Sequence, residues 1–236
     1  MKLQTYFRQA LMAGALFLGT NLAQAQSQKD FNLSGFNEIE MSSAFVIDIT
    51  QGSAFKVHAD AERSEDLEDL EVKVSGKRLI ARYKDKGSWG WNKNRKRVHF
   101  TIVVPDIKVL DFSGATKSKV SGFNDLEYLK VQFSGASTSE INVNVDKLLF
   151  DISGASNVTL KGNGSIMKLD ASGASKFNAL EFVAKDADLD VSGATSVRVN
   201  ASKTLNVEAS GASSVRYRGA PSVRSDVSGA SSVKSE

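Results

Sequence analysis

The chain reads Leu-Asp-Ala-Ser-Gly-Ala-Ser over residues 169–175 and Leu-Asp-Val-Ser-Gly-Ala-Thr over residues 189–195. The tripeptide Ser-Gly-Ala occurs seven times, and its glycines recur every 18 to 21 residues. They are Gly114, Gly135, Gly154, Gly173, Gly193, Gly211 and Gly229. Repetition at a nearly fixed period of this length predicts a solenoid, in which each repeat forms one coil that stacks on the next.

Apolar and polar residues alternate on both sides of each glycine, which is the pattern of a β-strand with one buried face. The residues expected to face the interior are Val131 and Phe133, Phe150 and Ile152, Leu169 and Ala171, Leu189 and Val191, and Val207 and Ala209 before the glycines, and Val158 and Leu160, Val197 and Val199, and Val215 and Tyr217 after them. Glycine and its Val, Ser, Thr and Asn neighbours disfavour helices. We therefore predict an all-β parallel solenoid of about seven coils, each with two short strands that meet at the Gly-Ala corner.

Glycine at each corner gives the backbone access to positive φ, and the following alanine is small enough for close stacking of the coils. A substitution such as Gly173→Val is therefore expected to strain one corner and to disturb the two neighbouring coils.

An acidic ladder is expected on the outward face beside the corners. It comprises Asp111, Asp151, Asp170, Asp190, Glu208 and Asp226, and Gln132 interrupts it. It is either an array for divalent cations or a solvated face balanced by Lys130, Lys168 and Arg198. The second interpretation is favoured because the Gly-Gly-x-Gly-x-Asp calcium repeat is absent.

A row of hydroxyl side chains follows the corners and is also expected to face outward. It comprises Thr116, Ser137, Ser156, Ser175, Thr195, Ser213 and Ser231. Such a row could order water, but the role of Ser and Thr in turns explains it more simply.

Residues 26–104 lack the repeat, yet their alternation also predicts strands. The predicted strands cover residues 37–41, 45–50, 55–59, 70–74, 78–83 and 98–104, with tight turns between neighbouring strands at Gln51-Gly52 and Ser75-Gly76. Residues 60–71 hold seven acidic residues and one arginine, and we expect a solvated face with a short helix around Leu67. Residues 26–104 and the solenoid at residues 105–236 are predicted to form one continuous domain.

A long loop at residues 84–97 contains both tryptophans and six basic residues. The candidate ligand contacts are Trp89, Trp91, Lys93, Arg95, Lys96 and Arg97, because indole faces stack on sugars and cations attract anionic partners. In the alternative, the basic loop folds back on the acidic 60–71 segment, and the tryptophans cap the open end of the solenoid.

Residues 1–25 are expected to be a cleaved signal peptide, because Lys2 and Arg8 precede a short apolar stretch and the site Ala23-Gln24-Ala25. The formal net charge is +3, and the remaining chain carries +1 because Lys2 and Arg8 leave with the leader. This charge does not favour nucleic-acid binding. We expect an exported protein of the periplasm, cell surface or extracellular space, with no transmembrane segment. Because the chain lacks cysteine, it has neither disulfides nor thiolate metal sites.

Nothing in the sequence matches a motif for catalysis. Only His58 and His99 could serve in a triad, and neither lies in a nucleophile-elbow or metal motif. Walker and Rossmann signatures are absent. We predict no enzymatic activity, no metal site and no cofactor.

Several segments resemble the head GIN domain family, a group of secreted bacterial proteins that is frequent in Bacteroidetes and is labelled as autotransporter adhesins. The resemblance lies in Phe36-Asn37-Glu38-Ile39, in residues 45–52, in Val103-Val104-Pro105-Asp106-Ile107 and in the repeated Ser-Gly-Ala-Ser marks. It covers nearly the whole chain after the leader. It implies a right-handed, parallel β-helix-like fold and an exported location, with no active-site residues to carry over.

The leading functional hypothesis is a non-enzymatic adhesin, or a module that binds a glycan, an envelope polymer or another surface protein through the 84–97 loop. The alternative is a structural protein that associates with itself through the last coil, where an unpaired strand edge invites pairing. A polysaccharide hydrolase or lyase is the third hypothesis, and it requires carboxylates that converge in a cleft.

Overall fold

The computed structural model describes residues 27–84 and 95–236, which form one short helix and sixteen strands. The expected signal peptide lies outside the described residues. The first part of the fold comprises β1 (Ser27–Phe31), β2 (Glu38–Ser42), β3 (Val46–Gln51), β4 (Lys56–Ala61), α1 (Ser64–Glu68), β5 (Leu70–Ser75), β6 (Arg78–Tyr83) and β7 (Val98–Val104). The second part comprises β8 (Val109–Gly114), β9 (Lys117–Gly135), β10 (Thr138–Gly154), β11 (Asn157–Ala171), β12 (Lys176–Val191), β13 (Ser196–Ala209), β14 (Ser214–Arg218), β15 (Ser222–Val227) and β16 (Ser232–Ser235).

Strands β8 to β16 stack in parallel as a β-solenoid, which confirms the predicted fold class. Repeat-equivalent residues lie side by side, as when Leu169 pairs with Leu189 and Leu189 pairs with Val207. The predicted inward pairs are buried, apart from Tyr217, which is half-buried. Stacking thus converts a sequence repeat into columns of identical environment along the axis.

Strands β9 to β13 are continuous over 14 to 19 residues, so the prediction of two separate short strands per coil was wrong for these coils. The alternation nevertheless changes phase within a strand. In β10 the buried side chains run to Val145 and resume at Leu148, where the coil turns onto its second face. The hydrogen bonds to the neighbouring coil continue on both sides of this second bend, so the strand is not interrupted.

The seven repeat glycines occupy the corners with φ between +69° and +99°. They also stack directly on one another. A Cβ on Gly173 would lie closer to the carbonyl oxygen of Gly154 than van der Waals contact allows. These corners therefore need glycine for two reasons, the backbone angle and the close approach of the coil below.

One corner upstream of the repeats escaped sequence analysis. Ser42 pairs with Ser113, and Ser43 lies directly beneath Gly114, so Ser42-Ser43-Ala44 occupies the place of a Ser-Gly-Ala mark. Ser43 has φ of +139°, and among the described residues it is the one with positive φ that is not glycine. The missing glycine hid this corner from a search for the tripeptide.

The N-terminal strands extend the stack and then close it. Strands β3 and β7 continue one face in parallel, and β2 and β6 continue the other. Beyond them the direction reverses, because β4, β1 and β5 pair antiparallel and α1 contacts β1 and β4. The predicted turn at Ser75-Gly76 joins the paired strands β5 and β6. The Gln51-Gly52 prediction was wrong about pairing, because β7 lies between β3 and β4.

The hydroxyl row faces inward, so the predicted outward orientation was wrong. Thr116, Ser137, Ser156, Ser175, Thr195 and Ser213 are buried and Ser231 is half-buried, whereas the alanine before each of them is exposed. Several buried hydroxyls bond to neighbours, namely Thr116 to Ser137 at 2.9 Å and Thr195 to the carbonyl of Ser192 at 2.9 Å. The second contact is the turn chemistry expected of Ser and Thr.

In the described part of the chain, no helix has the length and apolar character needed to cross a membrane.

Replacing Gly173 with alanine tests the corner constraint, with Gly76→Ala as the matched control. Both glycines have positive φ, but a Cβ at Gly76 meets nothing within 4 Å. We expect Gly76→Ala to lower the free energy of unfolding by roughly 1–2 kcal/mol, the cost of a left-handed alanine. Gly173→Ala should lower the free energy of unfolding by clearly more, because the two coils must also move apart to make room for the Cβ. Equal losses in chemical denaturation would contradict the stacking argument.

The substitution Ser43→Gly should stabilise the protein, because it restores glycine at a positive-φ corner. The expected gain in the free energy of unfolding is about 1 kcal/mol, part of which is offset by the greater freedom of glycine in the unfolded chain. Ser42→Gly is the control, since Ser42 lies within β2 and should lose stability. A loss of stability in both variants would contradict the assignment of Ser43 as a corner.

Candidate functional site

The basic segment connects β6 to β7 along the chain, and its described residues lie beside α1 and the end of β6. Trp89, Trp91 and Lys93 lie outside the described residues, and Arg95, Lys96 and Arg97 form the described stem that leads into β7. Of these three, Arg95 is half-buried and the other two are exposed.

Arg95 is held by two neighbours. Its guanidinium carbon lies 4.1 Å from the centre of the Tyr83 ring, and its Nη2 atom lies 3.6 Å from Asp69 Oδ2. Burial raises the pKa of Tyr83 to about 12, and the nearby carboxylates of Asp66 and Asp69 act in the same direction while Arg95 opposes them. Tyr83 therefore stays neutral and presents an intact ring face to the cation.

Lys96 is tied to the acidic segment by its backbone. Its N–H donates to Asp66 Oδ2 at 3.3 Å, and its carbonyl accepts from the Tyr83 hydroxyl at 3.5 Å. Its side chain is 57% exposed, with Nζ 3.8 Å from Glu62 Oε2. The backbone of Lys96 is thus fixed while its charge remains largely in solvent.

Helix α1 places Asp66 where it can organise this stem. Arg63 donates to both Asp66 oxygens, at 2.8 and 2.9 Å, and Asp66 is only 1% exposed. The short helix around Leu67 was predicted correctly, but the prediction of a solvated acidic face was wrong for Asp66. Burial of a carboxylate requires such partners. Arg95 and Lys96 thus contact the acidic 60–71 segment, as expected if this end of the basic loop folds back on that segment.

The acidic ladder follows a single column of the stack. From Glu40 through Asp111 and Gln132 to Asp226, each member pairs in register with the next coil. Glu40 is an additional member that the irregular N-terminal spacing concealed, and Arg78 binds both Glu38 and Glu40. Arg198 was wrongly expected to balance the ladder, because it lies on the other face and pairs with Glu236.

A groove of about 680 Å³ runs along the ladder between Leu149 and Asp226. Burial raises the pKa of Asp170, and the neighbouring carboxylates of Asp190 and Asp151 raise it further. Lys168 lies 3.5 Å from Asp188. The carboxylates are distributed along the axis, one per coil, and do not converge on one point. Among the described residues, no group of three or more histidine or acidic side chains is placed to hold a metal ion.

Both histidines bond to carboxylates, and each has one carboxylate partner on a neighbouring strand. His58 Nδ1 lies 2.6 Å from Asp30 Oδ1, and its Nε2 lies 3.2 Å from Asp60 Oδ1. The bond to Asp30 is the main reason that the pKa of His58 is raised. His99 Nε2 lies 2.8 Å from Asp48 Oδ2, and the ring is half-buried. Asp60 lies on the same strand as His58, but Asp30 and Asp48 could not be identified from the sequence, because strand pairing brings them next to the histidines.

Comparison with known proteins gives matches for both the sequence and the fold. The family model described as "Putative auto-transporter adhesin, head GIN domain" matches residues 35–221. No curated protein matches the chain.

Solved structures share the fold at low sequence identity. A "putative adhesin" from Bacteroides fragilis has a TM-score of 0.78 and 18% identity, and the alignment covers 89% of this chain and 97% of that one. A "putative adhesin" from Parabacteroides merdae has a TM-score of 0.68 and 15% identity, covering 89% and 96%. A "putative lipid binding protein" from Parabacteroides distasonis has a TM-score of 0.66 and 17% identity, again covering 89% and 96%.

The family model spans β2 to β14, which include most of the glycine-marked coils, and the solved structures share the fold. The chain therefore belongs to the family described as "Putative auto-transporter adhesin, head GIN domain".

Proposed function

We propose that this protein is an exported, non-enzymatic adhesion module that binds an anionic glycan or envelope polymer through its 84–97 loop. The observation that carries the proposal is the anchored stem, in which Arg95, Tyr83 and the Asp66 carboxylate hold the end of the loop against α1. Membership in an adhesin family supports binding of a surface partner, and the ligand class rests on the chemistry of the loop.

Fixing the stem reduces the conformational entropy that the loop loses on binding. Arg97 and the Lys96 side chain remain exposed while the Lys96 backbone is held. A preorganised loop binds more tightly than a free one with the same side chains. We assign Arg95 to positioning the loop, because its guanidinium is already engaged by Tyr83 and Asp69.

The residue types of the loop suit a sugar polymer that carries negative charge. Trp89 and Trp91 supply faces for stacking on sugar rings, and Lys93, Lys96 and Arg97 supply attraction to carboxylate or phosphate groups. A relative of similar fold is described as a "putative lipid binding protein", and lipid headgroups carry phosphate as well. The test must therefore separate polymers from lipid surfaces.

The experiment compares retention of the wild type and of Trp89→Ala/Trp91→Ala on a glycan array and on purified peptidoglycan, with anionic vesicles as a separate arm. Loss of two stacking faces should weaken glycan binding by about tenfold or more. Lys96→Ala/Arg97→Ala should mainly remove the part of the binding that depends on salt concentration. Equal retention of all variants would remove the loop from the proposal, and binding to vesicles alone would exclude a glycan.

Self-association through the last coil is a second candidate, which the exposure of β15 favours. Among the described residues, β15 pairs with β13 alone. Val223 and Val227 continue the columns of the buried Leu205 and Ala209, yet they are 39% and 41% exposed. Uncovered apolar side chains beside a free strand edge favour pairing with another chain.

Mass measurement in solution over a concentration series tests this candidate. We expect an oligomer that forms with rising concentration and that Val227→Glu weakens, because a charge would enter the apolar contact. Val183→Glu is the matched control, since Val183 is 42% exposed but lies on β12, between two strands. A strict monomer at every concentration would contradict self-association.

A further inference from the structure

One outward column on the face that contains β3 and β9 changes its charge along the solenoid. In the early coils the charges alternate in sign, because Asp48 pairs in register with Lys119, and Lys119 with Glu140. The next two positions of this column, Thr159 and Asn178, are uncharged. Lys161, two residues after Thr159 on the same strand, forms ion pairs with Glu140 and Glu181 at 4.0 and 3.3 Å. Cross-strand neighbours of opposite charge stabilise a sheet.

The last coils break this pattern with a basic ladder. Arg198, Arg216 and Lys234 lie side by side in consecutive strands β13, β14 and β16. Glu236 neutralises Arg198, whereas Arg216 and Lys234 are exposed and have no ion-pair partner among the described residues. Like charges directly opposite each other destabilise a sheet, so this arrangement has an energetic cost in the free protein.

The surroundings of the basic ladder add further donors. Arg218 is exposed on the same strand as Arg216. The neighbouring column carries the hydroxyls of Ser196, Ser214 and Ser232, in register on the same three strands. Cations and hydroxyls spaced by one strand separation, about 4.8 Å, form a line of donors parallel to the solenoid axis.

A line of charge fits a linear polyanion better than a compact anion. Successive acidic groups of an extended polysaccharide can contact successive rungs of the ladder, and each contact removes repulsion between neighbouring cations. We propose that the basic ladder is a binding site for a linear acidic polysaccharide, whose carboxylate, sulfate or phosphate groups contact Arg216 and Lys234.

This site is separate from the loop, although both lie on the same sheet. The loop stem enters β7, and the sheet continues from β7 through β3 and β9–β12 to β13, where the ladder begins. Six strand separations of about 4.8 Å place the two sites roughly 29 Å apart. The inference therefore stands if the loop proposal fails, and a long polymer contacts both sites if both proposals hold.

The experiment measures binding of the purified protein, expressed from the full chain, to heparin and to polygalacturonate as sulfated and carboxylated probes. Arg216→Glu/Lys234→Glu should weaken binding by about tenfold or more and lower the salt needed for elution. Arg224→Glu is the matched control: Arg224 is exposed on β15, on the face that carries the acidic ladder, and its loss should change affinity by less than about twofold.

A stability measurement separates a binding role from a structural one. Arg216→Gln should hold or raise the melting temperature at low salt, because it removes like-charge repulsion, and the same variant should lose affinity for the polyanion. A lower melting temperature together with unchanged affinity would overturn the proposal. Equal loss in the Arg224→Glu control would also overturn it, as would binding confined to anionic vesicles. The Trp89→Ala/Trp91→Ala variant is measured in parallel. Its affinity for the same polyanions shows whether the loop proposal fails independently of the basic ladder.

Discussion

The direct stacking of one glycine corner on another is the constraint on which the solenoid depends. From Gly135 to Gly229, each corner lies so close to the carbonyl of the coil below that a Cβ has no room, as the Gly173 and Gly154 pair shows. The corners fix where each coil begins, and this sets the register of everything between them. Ser43 shows that the column begins before the repeats, at a position that also has positive φ but is not glycine.

Register determines both the core and the surface charge. Because equivalent residues stack, one apolar position becomes a continuous interior column, and one acidic position becomes the ladder from Glu40 to Asp226. The same rule stacks Arg198, Arg216 and Lys234 on the other face. A solenoid therefore presents lines of charge along its axis, which is a surface suited to polymers and to extended partners.

The two ends of the stack differ in how they are closed. At the N-terminal end, antiparallel strands and α1 cover the core, and the buried Asp66 secures the stem of the basic loop. At the other end, β15 exposes two valines that continue buried columns. The capped end thus carries the anchored stem of residues 95–97, and the opposite end carries the basic ladder and a free strand edge.

The sequence by itself determined the solenoid, the positions of its corners, the inward apolar pairs and most N-terminal strands; β6 and β7 match the prediction residue for residue. These features follow from local rules, namely alternation and the conformational freedom of glycine. Only the tertiary structure decided that β7 lies between β3 and β4, that the hydroxyl row faces inward, and that Asp66 is buried beneath Arg63 and Lys96. The physical reason is that strand order and charge pairing depend on contacts between residues far apart in the chain, which no local pattern encodes.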